Sequence, residues 1–454
     1  MLAREKAKPR SLAAAGGLPF HAHSFADDAG RLFWHGSHLC RGINAAHAPF
    51  VARLFKDGVI GDLIERGLLV ESEVTDIAVE RYPMVVRHKV VPFVSYPNEW
   101  CAAMLKGAAL AIIDLVTELS QRGLTLKDAH PWNLLFDFTR PVYVDLTSIV
   151  PQADAAVWAA YDEFCRFCYY PLILMAHGQE RIARLLIPEY EGVTRRDLLS
   201  LMRGSAPSRF IVAKLLDRLA GKAGSFFGKA PAASAFLKKI RSDVERIQLP
   251  AYGDADPAHE DRIAETDDQM MQESVSRILA ELRPGSVLDL SRGGTWTARL
   301  PASQGCNVVS VSNVPSRATR IYESARDEKM AVLALVMDFV KPTPSVGYSN
   351  HYAMAATERL KCDLVVALGL TDQLRRANHF TPELIAEGLS SFSKRWLVVD
   401  VDGSQGEECA NGRDGGLNAH SRDGLKHALG EWFSAVRVVS LANGRALFVC
   451  EKES

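Results

Sequence analysis

From Gln269 onward the chain alternates short apolar runs with longer stretches of helical spacing. The runs read "SVLDLS", "NVVSVS", "AVLALVMDF", "CDLVVALGL", "RWLVVDVDG", "VRVVSLA" and "RALFVCEK". Strands apolar on both faces and separated by helices predict a parallel α/β sheet. The last two runs lie close together across an Asn-Gly pair, which predicts a closing antiparallel hairpin. Residues 25–248 carry a different pattern. "GRLFWHGSHLCRGI" (30–43) alternates and turns at Gly36, so it reads as a hairpin, and 47–69 reads as helical. "MVVRHKVVPFV" (84–94) is β-rich, and "SYPNEW" is a turn ahead of a long helix from about Glu99 to Arg122. In that helix Leu105, Ala109, Ile112, Ile113 and Val116 recur at the 3.6-residue period. A loop is expected at 127–133, strands near 134–136 and 142–145, and helices from there to about Gln248.

The segment "LPAYGDADPAHEDR" (249–262) is rich in Pro, Gly and Asp and lacks periodicity, as a linker would. The organisation read from the pattern is a flexible N-terminus (1–24), an N-terminal α+β domain (25–248), a linker (249–268) and a C-terminal α/β domain (269–454). Charge agrees with two units of different character. Residues 1–250 hold 31 basic and 26 acidic side chains, a balance of +5, and residues 251–454 hold 22 and 28, a balance of −6. The 12 basic side chains against 4 acidic ones in 195–246 read as a solvated helix face. No nucleic-acid partner is expected.

Eight cysteines are scattered, and only Cys165 and Cys168 form a CxxC pair. They sit in the aromatic stretch "YDEFCRFCYYPLILMA" with no second pair to complete a zinc site, so a buried helix is expected. Free thiols suit a reducing compartment. "MLAREKAKPR" lacks the apolar core of a signal peptide, and Lys106 and Asp114 interrupt the longest apolar stretch. A soluble cytoplasmic protein without a membrane span is expected; the oligomeric state is not readable.

Two groups of residues carry candidate chemistry. In "SVLDLSRGGTWTARL" (286–300), strand, acid, glycine-bearing turn and helix follow one another. This is the order used by class I S-adenosylmethionine (SAM) methyltransferases. "LALVMDFVKPTPSVGYSN", "CDLVVALGLTDQL" and, in the first half, "SYPNEWCAAMLKGAAL", "LTLKDAHPWNLLF", "RPVYVDLTSI" and "YDEFCRFCYYPLILM" resemble a bacterial family related to the rhizobial nodulation methyltransferase. The matches span roughly residues 25–450. The resemblance implies a seven-stranded Rossmann-like methyltransferase sheet and SAM as cofactor. Carried over, Asp289 would organise the cofactor loop, Gly293 and Gly294 would let the backbone approach the ligand, and Asp338 would meet the adenine. Leu368 to Leu370 would line the pocket. Two departures stand out. Ser291 and Thr295 replace glycines of the family loop, where a side chain can clash if positive φ is required. Ser312 and Asn313 stand where an acid usually grips the ribose, and a neutral acceptor holds a hydroxyl less strongly. Asp400 and Asp402 end a strand and could position a substrate or cap a turn; His379 reads as a surface residue ahead of a Thr381 cap.

The second group is D-x-H-P-x-N in "KDAHPWN", which resembles the catalytic loop of aminoglycoside and choline kinase-like phosphotransferases. The chemistry needs a base (Asp128), a metal-binding amide five residues on (Asn133) and a metal-binding acid after the next strand (Asp145). The resemblance implies a kinase-like fold for the N-terminal domain and, if the site is active, ATP and Mg. No glycine-rich clamp is present, and Leu146-Thr147 follow the metal aspartate. Arg41, Lys56 and Lys89 are the candidate phosphate partners; alternatively, Asp128, Asn133 and Asp145 brace a buried turn. The leading expectation is SAM-dependent methyl transfer to a small-molecule or glycan acceptor, with the N-terminal domain aiding recognition. An ATP/Mg-dependent small-molecule kinase and a non-catalytic binding protein are the alternatives.

Overall fold

The computed structural model describes residues 19–24, 27–152, 158–202, 231–250, 265–401, 422–442 and 444–453. Most of the expected linker, most of the basic 195–246 stretch and Asp402 lie outside the described residues.

The first half opens with a four-stranded antiparallel sheet of order β1-β2-β4-β3, from β1 (Gly30–His35), β2 (His38–Ile43), β3 (Ser72–Thr75) and β4 (Met84–His88). The β1–β2 hairpin pairs His35 with His38, and its turn uses Gly36 at φ 61°, a left-handed conformation that glycine adopts without strain. Helices Ala48–Lys56 and Val59–Glu65 fill the expected helical stretch. Strand β3 was not foreseen, because only Val74 of its four residues is aliphatic and that residue is exposed. The long helix runs Ala102–Ser120 and buries Leu105, Ala109, Ile112, Ile113 and Val116, the stripe its periodicity predicts. Beyond it β5 (Leu124–Leu126) pairs with β8 (Ile149–Pro151), and β6 (Leu134–Asp137) with β7 (Arg140–Tyr143). The CxxC cysteines lie in a π-helical turn, Cys165–Tyr169, inside a buried helical run. Burial pushes the Cys165 thiol up to about 12 and Cys168 well above its usual value, so both act as small apolar groups.

Helix Glu265–Leu282, which starts ahead of the expected Gln269, leads into the second half. All seven expected strands form: β9 (Ser286–Asp289), β10 (Asn307–Ser312), β11 (Val332–Val336), β12 (Cys362–Ala367), β13 (Ser393–Val401), β14 (Ala435–Ser440) and β15 (Ala446–Glu451). Their order in the sheet is β11-β10-β9-β12-β13-β15-β14. The first five are parallel, and β15 enters antiparallel between β13 and β14. This is the seven-stranded methyltransferase arrangement. Strand β11, "VLALV", is buried along its whole length, as a strand covered on both faces must be. The order reverses between β10-β9 and β9-β12, which opens a crevice at the carboxyl ends of these strands.

The two halves share one apolar core that extends from Ile43 to Cys450. Trp100, fully buried, meets Phe136 edge to face at 4.8 Å. Phe136 in turn meets Tyr322 of the second half at 6.1 Å, and the Tyr322 hydroxyl donates to the Thr139 carbonyl at 3.3 Å. Arg359 and Glu99, each about 1% exposed, form an ion pair across the junction. Among the described residues, no helix is long and apolar enough to cross a membrane.

Candidate functional site

The turn after β9 is built around Asp289, which is fully buried. Its Oδ1 accepts from the Ser291 N–H at 3.0 Å, and its Oδ2 from the hydroxyls of Thr297 (3.1 Å) and Ser310 (2.7 Å). Arg317, from helix Pro315–Asp327, lies 3.6 Å from the same oxygen and donates to Thr297 Oγ1 at 3.1 Å and to the Ser291 carbonyl. Asp289 therefore braces the turn after β9, with its oxygens directed inward.

The two lost glycines obstruct nothing. Neither Ser291 nor Thr295 adopts positive φ. Thr295 is the residue ahead of helix Trp296–Ser303, at φ −63° and ψ −14°, an ordinary helical conformation. The Ser291 hydroxyl points to the neighbouring strand, where Oγ accepts from the Leu368 N–H at 3.1 Å. The Arg292 N–H donates to the Leu368 carbonyl at 2.8 Å. Two loops are thus stitched together where glycines would have left only backbone. Ser291→Ala leaves the buried Leu368 N–H without its partner. The expected loss is about 1–3 kcal/mol of unfolding free energy by urea denaturation, and an unchanged stability would show that the stitch is incidental.

The crevice at the strand ends is lined by Leu290, Ser291, Arg292, Ser312, Asn313 and Asp338, with Arg317 at its back and Leu370 and Gln373 opposite. Of the expected site residues, Ser291, Ser312, Asn313 and Asp338 meet here. Of the expected stretch Leu368 to Leu370, Leu370 lines the crevice, while Leu368 bonds through its backbone to 291–292 and its side chain is buried. Gly293 and Gly294 are also not among the lining residues, since the turn carries them outward to half-buried and exposed positions. Asp338 is exposed, with Oδ1 accepting from the Val340 N–H at 2.9 Å, and Asn313 is exposed beside it. Ser312 Oγ accepts from the Val314 N–H at 3.1 Å, which shapes the bend after β10.

Asp400 resolves as a cap. It accepts from the Gly369 N–H at 2.7 Å, at the head of helix Leu370–Asn378, and pairs with Arg445. Gly369 sits at φ 71°, which glycine alone adopts cheaply. Burial pushes the Asp400 carboxyl above the usual carboxylate range, against the pull of Arg445 and the Gly369 N–H. His379 is exposed at the end of that helix, and Thr381 accepts from the Leu384 N–H as the expected cap.

The crevice itself is narrow, about 40 Å³. It shares Asn313, Met337 and Asp338 with a cavity of about 620 Å³ between the two halves. The residues fit SAM in kind: an exposed carboxylate and an exposed amide at the ends of β11 and β10, beside the turn at 290–292. Its entry requires the crevice walls to part. Arg317 was missed in the sequence although it left a signal. It shares a helix face with buried Ala318, Ile321, Tyr322 and Ala325, and an arginine in an apolar stripe is there for a partner.

In the first half, loop 127–133 joins β5 to β6, and Asp145 follows β7. Asp128 Oδ2 is 3.4 Å from Ser148 Oγ, and its carbonyl accepts from Tyr143 Oη at 2.9 Å. Asn133 Nδ2 donates to that same phenol at 3.2 Å. Asp145 Oδ1 caps the turn Leu146–Ser148 through the Thr147 N–H at 3.3 Å and is 3.1 Å from Arg41 Nη1. Arg41 also meets Asp27 at 2.6 Å, so two carboxylates share one guanidinium. Of the other candidate cations, Lys89 pairs with Glu71 at 2.8 Å. Among the described residues, no group of three His, Cys, Asp or Glu side chains is placed to hold a metal.

Over 403 residues, 84% of each chain, the sequence is 22% identical to nodulation protein NoeA of Rhizobium meliloti (strain 1021). The chain is similar to that nodulation protein along most of both lengths. The match has the breadth of the motif resemblance, which covers both halves and not the glycine loop alone. No family model matches the chain. Among solved structures, the magnesium protoporphyrin IX methyltransferase of Synechocystis PCC 6803 with bound SAM is 16% identical, over 41% of this chain and 80% of that one, with a TM-score of 0.28. The PH0226 protein of Pyrococcus horikoshii OT3 is 15% identical, over 45% of this chain and all of its own, with a TM-score of 0.32.

Proposed function

We propose that this protein is a SAM-dependent methyltransferase acting on a small-molecule or glycan acceptor, with the first half helping to hold that acceptor. The observation that carries the reading is the crevice at the carboxyl ends of β9, β10 and β11. It brings the Asp289 turn, Ser312, Asn313 and Asp338 together at the reversal of strand order. Asp338 and Asn313 would hold the nucleoside end of the cofactor, and the turn at 290–292 would flank its amino-acid end. SAM when bound supplies an electrophilic methyl group, so the protein's work is alignment and exclusion of water. Asp289 and Arg317 keep the turn rigid, and Asp400 fixes the head of the helix that forms the opposite wall.

Calorimetric titration with SAM and S-adenosylhomocysteine tests this. Binding of both is expected, and a ligand at about a hundred times its Kd should add roughly 2.7 kcal/mol of stability. Asp338→Ala is expected to weaken binding about tenfold or more, the loss of a charge-assisted hydrogen bond. No heat and no thermal shift with either ligand would end the methyltransferase reading.

One arrangement favours a second reading, ATP/Mg-dependent phosphoryl transfer by a kinase-like first half. Asp128, Asn133 and Asp145 follow the order base, metal amide, metal acid around a β-hairpin. The pairing of Asp145 with Arg41 and its capping of 146–148 support the bracing role instead. A thermal shift with ATP and Mg that Asp145→Ala abolishes would decide for the phosphotransferase.

A further inference from the structure

The cavity of about 620 Å³ draws its lining from both halves and meets the first set of candidate residues only at Asn313 and Asp338. From the second half it takes Asn313, Met337, Asp338 and Lys341, and from the first half Tyr96, Asn98, Trp132, Arg181 and Arg184. Its size is in the range of small-molecule sites. Its charge is one-sided, with Arg181, Arg184 and Lys341 against the single carboxylate of Asp338. Arg181 and Arg184 are three residues apart on helix Glu180–Leu186 and so share a face of it. The opposite side is aromatic. The Tyr96 and Trp132 rings lie 5.5 Å apart, tilted by 38°, and Tyr352 meets Trp132 edge to face at 5.7 Å. Asn98 also lines the cavity, with its Oδ1 buried.

From this we propose that the cavity is a binding site for an anionic monosaccharide. Its phosphate or carboxylate is held by Arg181, Arg184 and Lys341, and its ring lies against Trp132 and Tyr96. Guanidinium and ammonium donors suit an anion with several acceptor oxygens. Aromatic faces pack the C–H face of a pyranose while the polar groups fix its orientation. Assigning this ligand as the methyl acceptor rests on the transferase reading above; its binding does not. The cavity adjoins the crevice at Asn313, Met337 and Asp338, so a ligand there would be a neighbour of the cofactor.

The test is calorimetry on the full chain with four probes: glucose 6-phosphate, glucuronate, glucose and inorganic phosphate. Glucose 6-phosphate or glucuronate is expected to bind more tightly than glucose or phosphate, with the better of the two identifying the anion. Arg181→Ala and Lys341→Ala, both at exposed positions, should each weaken that binding roughly tenfold. Equal binding of glucose and its anionic forms overturns the charge assignment. Equal binding of inorganic phosphate overturns the sugar assignment, and no binding of any probe at ~10 mM overturns both. A SAM titration of the unmodified chain separates the two readings. SAM binding with no sugar binding removes only this site, and sugar binding without SAM binding removes only the transferase.

Discussion

Arg359→Ala is expected to lower the unfolding free energy by about 3–5 kcal/mol, because it strands a charge in the interior. Arg359 and Glu99 are each about 1% exposed. The guanidinium also donates to the Val94 carbonyl at 2.6 Å and the Met354 carbonyl at 3.1 Å, and lies 4.6 Å over the Tyr96 ring. Glu99 accepts in turn from the Tyr96 N–H at 3.1 Å. Alanine leaves the Glu99 carboxylate without its counter-ion and two carbonyls without donors. Lysine does not restore the site, since one ammonium cannot reproduce the planar fork that reaches three acceptors. Replacing both partners, Glu99→Leu with Arg359→Met, is expected to recover most of the loss, as apolar substitutes often match a buried pair. Urea denaturation of the two single variants and the double variant forms the cycle that checks this. A loss under about 1 kcal/mol for Arg359→Ala would show that the pair is solvated and that the junction holds without it. The pair joins 94–99 to 354–359, and Tyr96, Asn98 and Ala353 line the cavity. Anionic-sugar binding should therefore weaken along with stability.

This junction was also the part hidden from sequence reading. The seven strands of the second half announced themselves, because a strand covered on both faces must be apolar throughout, and "VLALV" or "LVVA" has no other comfortable place. The loop residues Ser291, Asn313 and Asp338 were legible for a related reason, since they end those strands and the sheet order brings such ends together. What could not be read was which side chains act on one another across long separations. Ser291 looked like a damaged glycine; its value to the fold depends on Leu368, 77 residues on. Arg317 was passed over and is the counter-ion of Asp289. Glu99 read as the start of a helix, whereas its partner is Arg359, 260 residues away. Leu368 was placed in the pocket from its position after a strand, yet the chain there turns its backbone to the neighbouring loop. Periodicity reports the face an element buries. It does not report the distant residue that meets it, and the cavity between the halves is made entirely of such meetings.

Acid should expose another of these hidden contacts. His88, at the end of β4, is buried, and burial with the nearby Arg41 charge lowers its pKa from 6.5 to about 3, against a smaller opposing pull from Asp145. Ser72 Oγ lies 2.8 Å from His88 Nδ1 and 2.9 Å from the Val70 carbonyl, and Nε2 faces the interior without a partner. Because the folded pKa is depressed, the unfolded chain takes up a proton below pH 6.5 that the native protein refuses until about pH 3. Stability is fully present above 6.5 and falls as pH drops through that window, by up to about 1.4 kcal/mol per pH unit and on the order of 5 kcal/mol in all. His88→Gln keeps a donor for Ser72 and cannot titrate. The difference in unfolding free energy between wild type and His88→Gln, measured by urea denaturation from pH 7.5 to 4, isolates this group from the carboxylates that titrate in both. That difference should be flat above pH 7 and shift steadily in favour of the variant below 6.5. A difference that stays flat down to pH 4 would mean that water reaches Nε2 and the imidazole titrates alike in both states.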